Sequence, residues 1–264
     1  MRHVLFAAGL GSVLVLSSNA IAQGTPPPHP EAGLDAETLK KANDPMADTK
    51  AFNLQNYFVS SVYGSEVKAN QLLLRYAQPA GRFLVRATLP LVTSAPPAAP
   101  PVSGFGDLNV FAIYTLPASP GNKLGIGPLI VVPTGSHDLG QGKVQVGAAA
   151  LAFFAKSHVV QVGSLLQYQA SVGGDEDRPD VSLLTAQMFY IWQAGAGVYL
   201  RSTGVWSFDL ENDAYNIPIG LGFGKVIKAG SIVYNIFAEP QFSVLAEGAG
   251  QARFQTYAGF NAQF

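Results

Sequence analysis

The chain has 264 residues and a formal net charge of -1, from 16 Lys+Arg against 17 Asp+Glu, so no basic field exists to attract nucleic acid. It contains no Cys, which excludes a disulfide scaffold, a thiol nucleophile and thiolate metal sites. Charged residues make up 12% of the chain, about half of the roughly 25% usual in soluble domains, while apolar content is 48%.

Gly, Ser, Gln, Asn and Thr replace the missing charge. This is the composition of a barrel with an apolar outer face and a polar interior. At the N-terminus, Arg2 precedes an apolar stretch from Val4 to Leu16, and Ala20-Ile21-Ala22 has the small–x–small pattern of a signal-peptidase site. The apolar stretch falls short of the roughly 20 residues of a spanning helix, so residues 1–22 read as a cleaved export signal. No later run of about 18 apolar residues appears, which excludes helical membrane spans.

Residues 23–50 form a separate periplasmic extension. "TPPPHP" reads as a stiff extended tail. "LDAETLKKANDP" reads as one short helix, with Asp35 as its N-cap and Pro45 soon after its end. Too short to be stable alone, it is expected to lie free in the periplasm or to tuck into a barrel mouth.

From Ala51 the period becomes two. In 69–76, Leu72, Leu74 and Tyr76 oppose Gln71, Leu73 and Arg75; in 81–91, Phe83, Val85, Ala87, Leu89 and Leu91 oppose Arg82, Leu84, Arg86 and Thr88. In 158–170, Val160, Val162, Leu166 and Tyr168 oppose Gln161, Gln167 and Gln169. In 231–244, Ile232, Tyr234, Ile236 and Phe242 oppose Asn235, Glu239, Gln241 and Ser243. Such alternation means strands with one apolar and one polar face.

Strands are predicted near 51–62, 69–77, 81–91, 105–117, 122–133, 143–154, 157–171, 180–191, 194–208, 215–226, 230–245 and 252–264, about twelve, an even number. Tight connections such as "AQPAG" and "IKAGS" alternate with longer ones such as "TGSHDLGQG" and "VGGDEDRPD". Short turns on one side and long loops on the other match an outer-membrane barrel, with "PASPGNK" long for a short-turn side. The predicted fold is all-β, a closed antiparallel up-and-down transmembrane barrel spanning 51–264. The competing soluble β-sandwich or propeller would need Lys and Glu on its polar faces to block edge aggregation, and these strands carry few.

The final strand places Tyr257, Gly259, Phe260 and Phe264 in a pattern that looks like the C-terminal signal read by barrel-assembly machinery, with Ala262 at the penultimate aromatic position. The stretches "NDPMAD" (43–48), "LQNYF" (54–58), "GFGD" (104–107), "LGIGPLIVVPTG" (124–135), "LGQGKVQVG" (139–147) and "PIGLGFGKV" (218–226) together resemble the outer-membrane MetA-pathway family of phenol degradation. The resemblance covers roughly residues 40–264. It implies an outer-membrane barrel passing small, aromatic or hydrophobic compounds, and it carries over no substrate residue.

The polar strand faces place Arg75, Arg86, Asp107, Arg201, Glu239 and Arg253 inside. They form either a ladder that selects anionic or polar solutes, or ion pairs that fill a narrow barrel. Gly220, Gly222 and Gly224 share one strand face, as do Gly125 and Gly127 on another. With no helix following them they are not a phosphate cradle, but leave space or permit curvature. Pro133 and Pro240 are expected at strand ends or irregularities, since proline cannot donate to a ladder.

Catalysis by an outer-membrane lipid hydrolase needs a Ser–His pair held by a third group. The histidines after residue 22 are His29, His137 and His158, expected in the tail, an outer loop and a turn, so no catalytic or metal residue and no cofactor is assigned. The acidic loops with Asp175, Glu176 and Asp177, and with Asp209, Glu211 and Asp213, are either solvated or bridged by cations to lipopolysaccharide. The expected function is a passive channel for small solutes in the bacterial outer membrane, in contact with lipid and lipopolysaccharide. A non-conducting structural or anchoring barrel is the alternative.

Overall fold

The computed structural model describes residues 34–264 apart from Ala98 and His158. The export signal, the proline-rich tail, His29 and His158 therefore lie outside the described residues. The first element is the helix α1 (Ala36–Ala42), where the Asp35 side chain caps the N-terminus by accepting from the Thr38 N–H at 2.6 Å. Glu37 in the first turn and Lys40 and Lys41 in the last complement the helix dipole.

Strands follow in order: β1 (Ala51–Val62), β2 (Lys68–Ala80), β3 (Phe83–Ala95), β4 (Val102–Phe105), β5 (Leu108–Leu116), β6 (Asn122–Val132), β7 (Lys143–Phe154) and β8 (Val160–Gly174). The remainder are β9 (Ser182–Gly195), β10 (Val198–Ser202), β11 (Val205–Asp209), β12 (Ala214–Gly220), β13 (Gly222–Ala229), β14 (Ile232–Glu247) and β15 (Ala252–Gln263). All pair antiparallel in sequence order, and β15 closes on β1 with Tyr57 opposite Tyr257. Closure pairs both edges of the sheet.

β4 and β5 both pair with β3, β10 and β11 both pair with β9, and β12 and β13 both pair with β14. Each pair is one barrel strand with an interruption, so the wall has twelve strands. The first break, at Gly106 and Asp107, carries one extra residue relative to β3, with Leu91 opposite Phe105 and Thr88 opposite Asn109. The second, at Thr203 and Gly204, keeps register on β9, with Ser202 opposite Tyr190 and Val205 opposite Gln187. The third is Leu221, opposite Pro240, which has no N–H to offer. Pro133 follows the last residue of β6.

Connections of two to five residues gather at the end that holds α1 and Phe264 (81–82, 117–121, 155–159, 196–197 and 230–231). Those at the other end run from four residues (210–213 and 248–251) to ten (133–142), so the longest loops, 133–142, 175–181 and 96–101, all lie there. The alternating pattern has one face outward. Ile126, Ile130, Leu166, Trp192, Phe223, Ile236 and Phe242 are exposed on the outer wall, whereas Phe111, Ile113, Leu151, Phe153 and Leu165 pack inside. An apolar exterior of this extent on a monomer requires a covering medium.

Candidate functional site in a divided lumen

Two cavities lie in tandem inside the barrel. The upper one, about 510 Å³, opens toward the long loops and is lined mainly by neutral polar side chains, among them Asn70, Gln71, Asn109, Gln167 and Gln255. The lower one, about 150 Å³, is bounded by residues 42–45 just after α1. Arg75, Arg86 and Gln187 line both, so the division runs through them. Tyr57 and Tyr257 fill the same level with rings stacked 4.2 Å apart at 6°.

Each arginine here is held without a carboxylate. Arg75 donates through Nη1 to Gln55 Oε1, which also accepts from the Tyr257 hydroxyl at 2.8 Å. The Arg86 guanidinium lies 4.3 Å from the centroid of the Phe111 ring, a cation–π contact. Strand register sets Arg75 opposite Thr88 and Arg86 opposite Ala77, so the two are diagonal neighbours on one lumen face.

Arg201 and Glu239 form a different unit. The Arg201 Nε donates to Glu239 Oε2 at 2.9 Å, with both side chains buried. Glu239 also accepts from the Thr203 N–H (2.7 Å), the Thr203 hydroxyl (2.6 Å) and Gln241 Nε2 (2.8 Å). Four donors meet the whole acceptor capacity of a carboxylate. One of them is the main-chain N–H at the β10–β11 break, so Glu239 replaces a ladder partner there. The Arg201 guanidinium covers the Phe237 ring at 3.5 Å.

The glycine stripe on β12 and β13 makes room for this unit. A Cβ at Gly220 would lie 2.7 Å from Glu239 Oε1, one at Gly222 2.6 Å from Glu239 Cα, and one at Gly224 2.2 Å from the Tyr199 ring. Space is the reason for these glycines, and side chains of the lumen occupy it. At Gly125 a Cβ would meet Ile113 at 2.3 Å and the Met46 methyl at 3.0 Å. The N-terminal segment therefore uses part of that second space.

Residues 34–49 close the lower end. Asn235 Nδ2 donates to the Ala42 carbonyl (3.1 Å) and to Asn43 Oδ1 (3.0 Å), while Asn235 Oδ1 accepts from the Tyr199 hydroxyl at 2.5 Å. Lys123 Nζ reaches Asp44 Oδ2 at 2.5 Å and the Met46 carbonyl at 2.7 Å. Ala42, Asp44, Met46 and Ala47 are buried. Burial pushes the Asp44 carboxyl above its ordinary range, and the attraction of Lys123 only partly offsets this.

The remaining residues singled out in the sequence stand elsewhere. Asp107 sits at the β4–β5 break, where its carboxylate accepts from the Gly135 N–H (2.9 Å) and the Gln141 N–H (2.6 Å). A Cβ at Gly135 or Gly140 would lie 2.7 or 2.6 Å from Asp107 Oδ1. "GFGD", "PTG" and "LGQG" thus meet in one folded loop, and Asp107 organises that loop rather than joining the lumen arginines. Arg253 is exposed near the long-loop rim, 5.9 Å from the Tyr63 ring centroid and beside β1.

On β15 the four C-terminal residues divide between faces. Phe260 and Phe264 are exposed, while Tyr257 is buried at the lumen division and a Cβ at Gly259 would meet the Phe237 ring at 2.4 Å. His137 is exposed on the 133–142 loop, 3.2 Å from Asp138 Oδ1. Among the described residues no cluster of three or more metal-ligating side chains occurs. Sequence reasoning missed Gln55, Tyr57 and Gln187 at the division. The period-two pattern of β1 does place Gln55 and Tyr57 on one face, but it cannot tell their height from that of Asn53.

The chain is similar in fold to the COG4313 outer membrane channel from Pseudomonas putida F1, with a TM-score of 0.63 and 15% identity over 82% of this chain and 94% of that one. It is also similar to the NanC porin, with a TM-score of 0.52 and 9% identity over 81% of this chain and 98% of that one. At these identities the likeness concerns the fold. No family model and no curated protein matches the chain.

Proposed function

We propose that this protein is a passive channel for small solutes in the bacterial outer membrane, delivered there by removal of residues 1–22 as an export signal. One observation carries the reading: the closed barrel is apolar outside and holds two cavities in line along its axis, lined largely by polar side chains. A lipid environment offers no partner for main-chain groups, and closure pairs them all around the wall. Strands of roughly 10 residues suffice to cross a bilayer when tilted, and the full-length strands here meet that. The fold shared with an outer membrane channel and a porin supports the same reading. The motif resemblance to the MetA-pathway family suggests aromatic or hydrophobic cargo. Phe260 and Phe264 on the outer wall, with Gly259 and Tyr257 inward, serve as the assembly signal in this account.

Residues 34–49 act as a plug on the lower side. Planar-bilayer recording of the refolded protein, with and without residues 23–49, tests both points. Small openings in the full chain and larger ones in the shortened chain are expected. A silent pair would overturn the channel and favour a structural or anchoring barrel, for which the plug is the supporting observation.

A further inference from the structure

We infer that Arg75 and Arg86 are the receptor for the carboxylate of a small organic acid whose body occupies the upper cavity; this rests on the channel reading, by which solutes reach the lumen. The lining of the upper cavity includes these two arginines and no Asp or Glu. Among the described residues neither forms an ion pair, whereas Arg201, a short way off, has Glu239. The Nε atoms of Arg75 and Arg86 are buried without a hydrogen-bond partner. Both residues are half-buried, and a partly desolvated cation is costly unless it is paired, so two together without an anion are a feature that needs a reason.

Their geometry supplies one. Gln55 holds Arg75 and the Phe111 ring holds Arg86, so both forks are fixed before any solute arrives. Diagonal positions on adjacent strands lie about 7–8 Å apart at their Cα atoms, within reach of two long side chains converging on one anion. A guanidinium fork matches a carboxylate in two parallel hydrogen bonds. A cavity of about 510 Å³ above the pair is far larger than a bare inorganic anion needs, and Tyr57 and Leu73 beside the arginines supply apolar contact for an organic body.

The test is calorimetric titration of the full-length refolded protein in detergent, at fixed ionic strength, with benzoate, its uncharged isostere benzamide, and chloride. Saturable binding of benzoate is expected, with benzamide at least tenfold weaker and Arg75→Gln and Arg86→Gln each losing at least tenfold for benzoate. Equal binding of benzoate and benzamide, full displacement of benzoate by equimolar chloride, or wild-type affinity in Arg86→Gln would each overturn the site. If a Gln variant fails to refold, the benzoate–benzamide comparison on the unaltered protein decides alone. Currents without benzoate binding overturn the site and leave the channel, whereas benzoate binding with no current in any variant overturns the channel and leaves the site.

Discussion

Glu239 is fully buried and its carboxylate has four donors, which makes it the most constrained charge in the barrel. Removing it leaves Arg201 desolvated without an anion and the Thr203 N–H without a partner. Glu239→Leu is therefore expected to cost about 3–5 kcal/mol, while Arg201→Met with Glu239→Leu recovers most of it. Urea unfolding in detergent measures both; a loss below about 1 kcal/mol for the single variant would contradict the role assigned to Glu239. Gly127 makes a second residue-scale claim. A Cβ there would fall 1.7 Å from the Ala112 carbonyl oxygen, a main-chain atom that cannot rotate away. Gly127→Ala is expected to destabilise by about 1–3 kcal/mol or to block folding, read as loss of the heat-modifiable band.

At the scale of elements, the segment holding α1 depends on its docking to the barrel, where Ala42, Asp44, Met46 and Ala47 are buried. It is anchored by a few polar contacts from Lys123, Asn235 and Gln263, and a helix of 7 residues does not persist unsupported. Asp44 makes its docking depend on pH. Because burial raises the docked pKa above the ordinary 3.8, this group's contribution is complete below that value and is lost as pH rises through the docked pKa. Lys123 and Lys40 oppose the shift without cancelling it. The chain has no Cys, so a single introduced cysteine at Ala36 accepts a nitroxide cleanly. The label should become less mobile as pH falls toward 3.8, and Asp44→Asn should abolish that dependence. Mobility that increases on acidification would refute the sign.

For the whole molecule, the decisive property is which side of the wall meets which medium. Trp192 is 58% exposed on the outer face, in line with other large apolar side chains. In vesicles its emission should be blue-shifted and quenched by brominated acyl chains, as lipid contact requires. A water-like emission from a protein that stays soluble without detergent would remove the basis of the membrane reading. Charge also acts at this scale. Arg75 and Arg86 together make the division between the cavities positive, so currents through the plug-deleted chain should favour anions, and the double Arg→Gln variant should lose that preference.

The strands and their two faces were legible from the residues alone. In a pleated chain, alternate side chains must meet different surroundings, and Val160, Leu166 and Tyr168 against Gln161 and Gln167 record that locally. The Asp35 cap and the helix after it are equally local. Three of the twelve strands proved to be interrupted, because those breaks depend on neighbours such as Pro240 rather than on the strand's own residues. The pairing of the charges was not legible either. Arg201 meets Glu239, Arg75 meets only Gln55, and Asp107 meets the 135–141 loop. The order of residues along a strand says which way a side chain points, whereas closure and register decide what stands across the lumen at the same height.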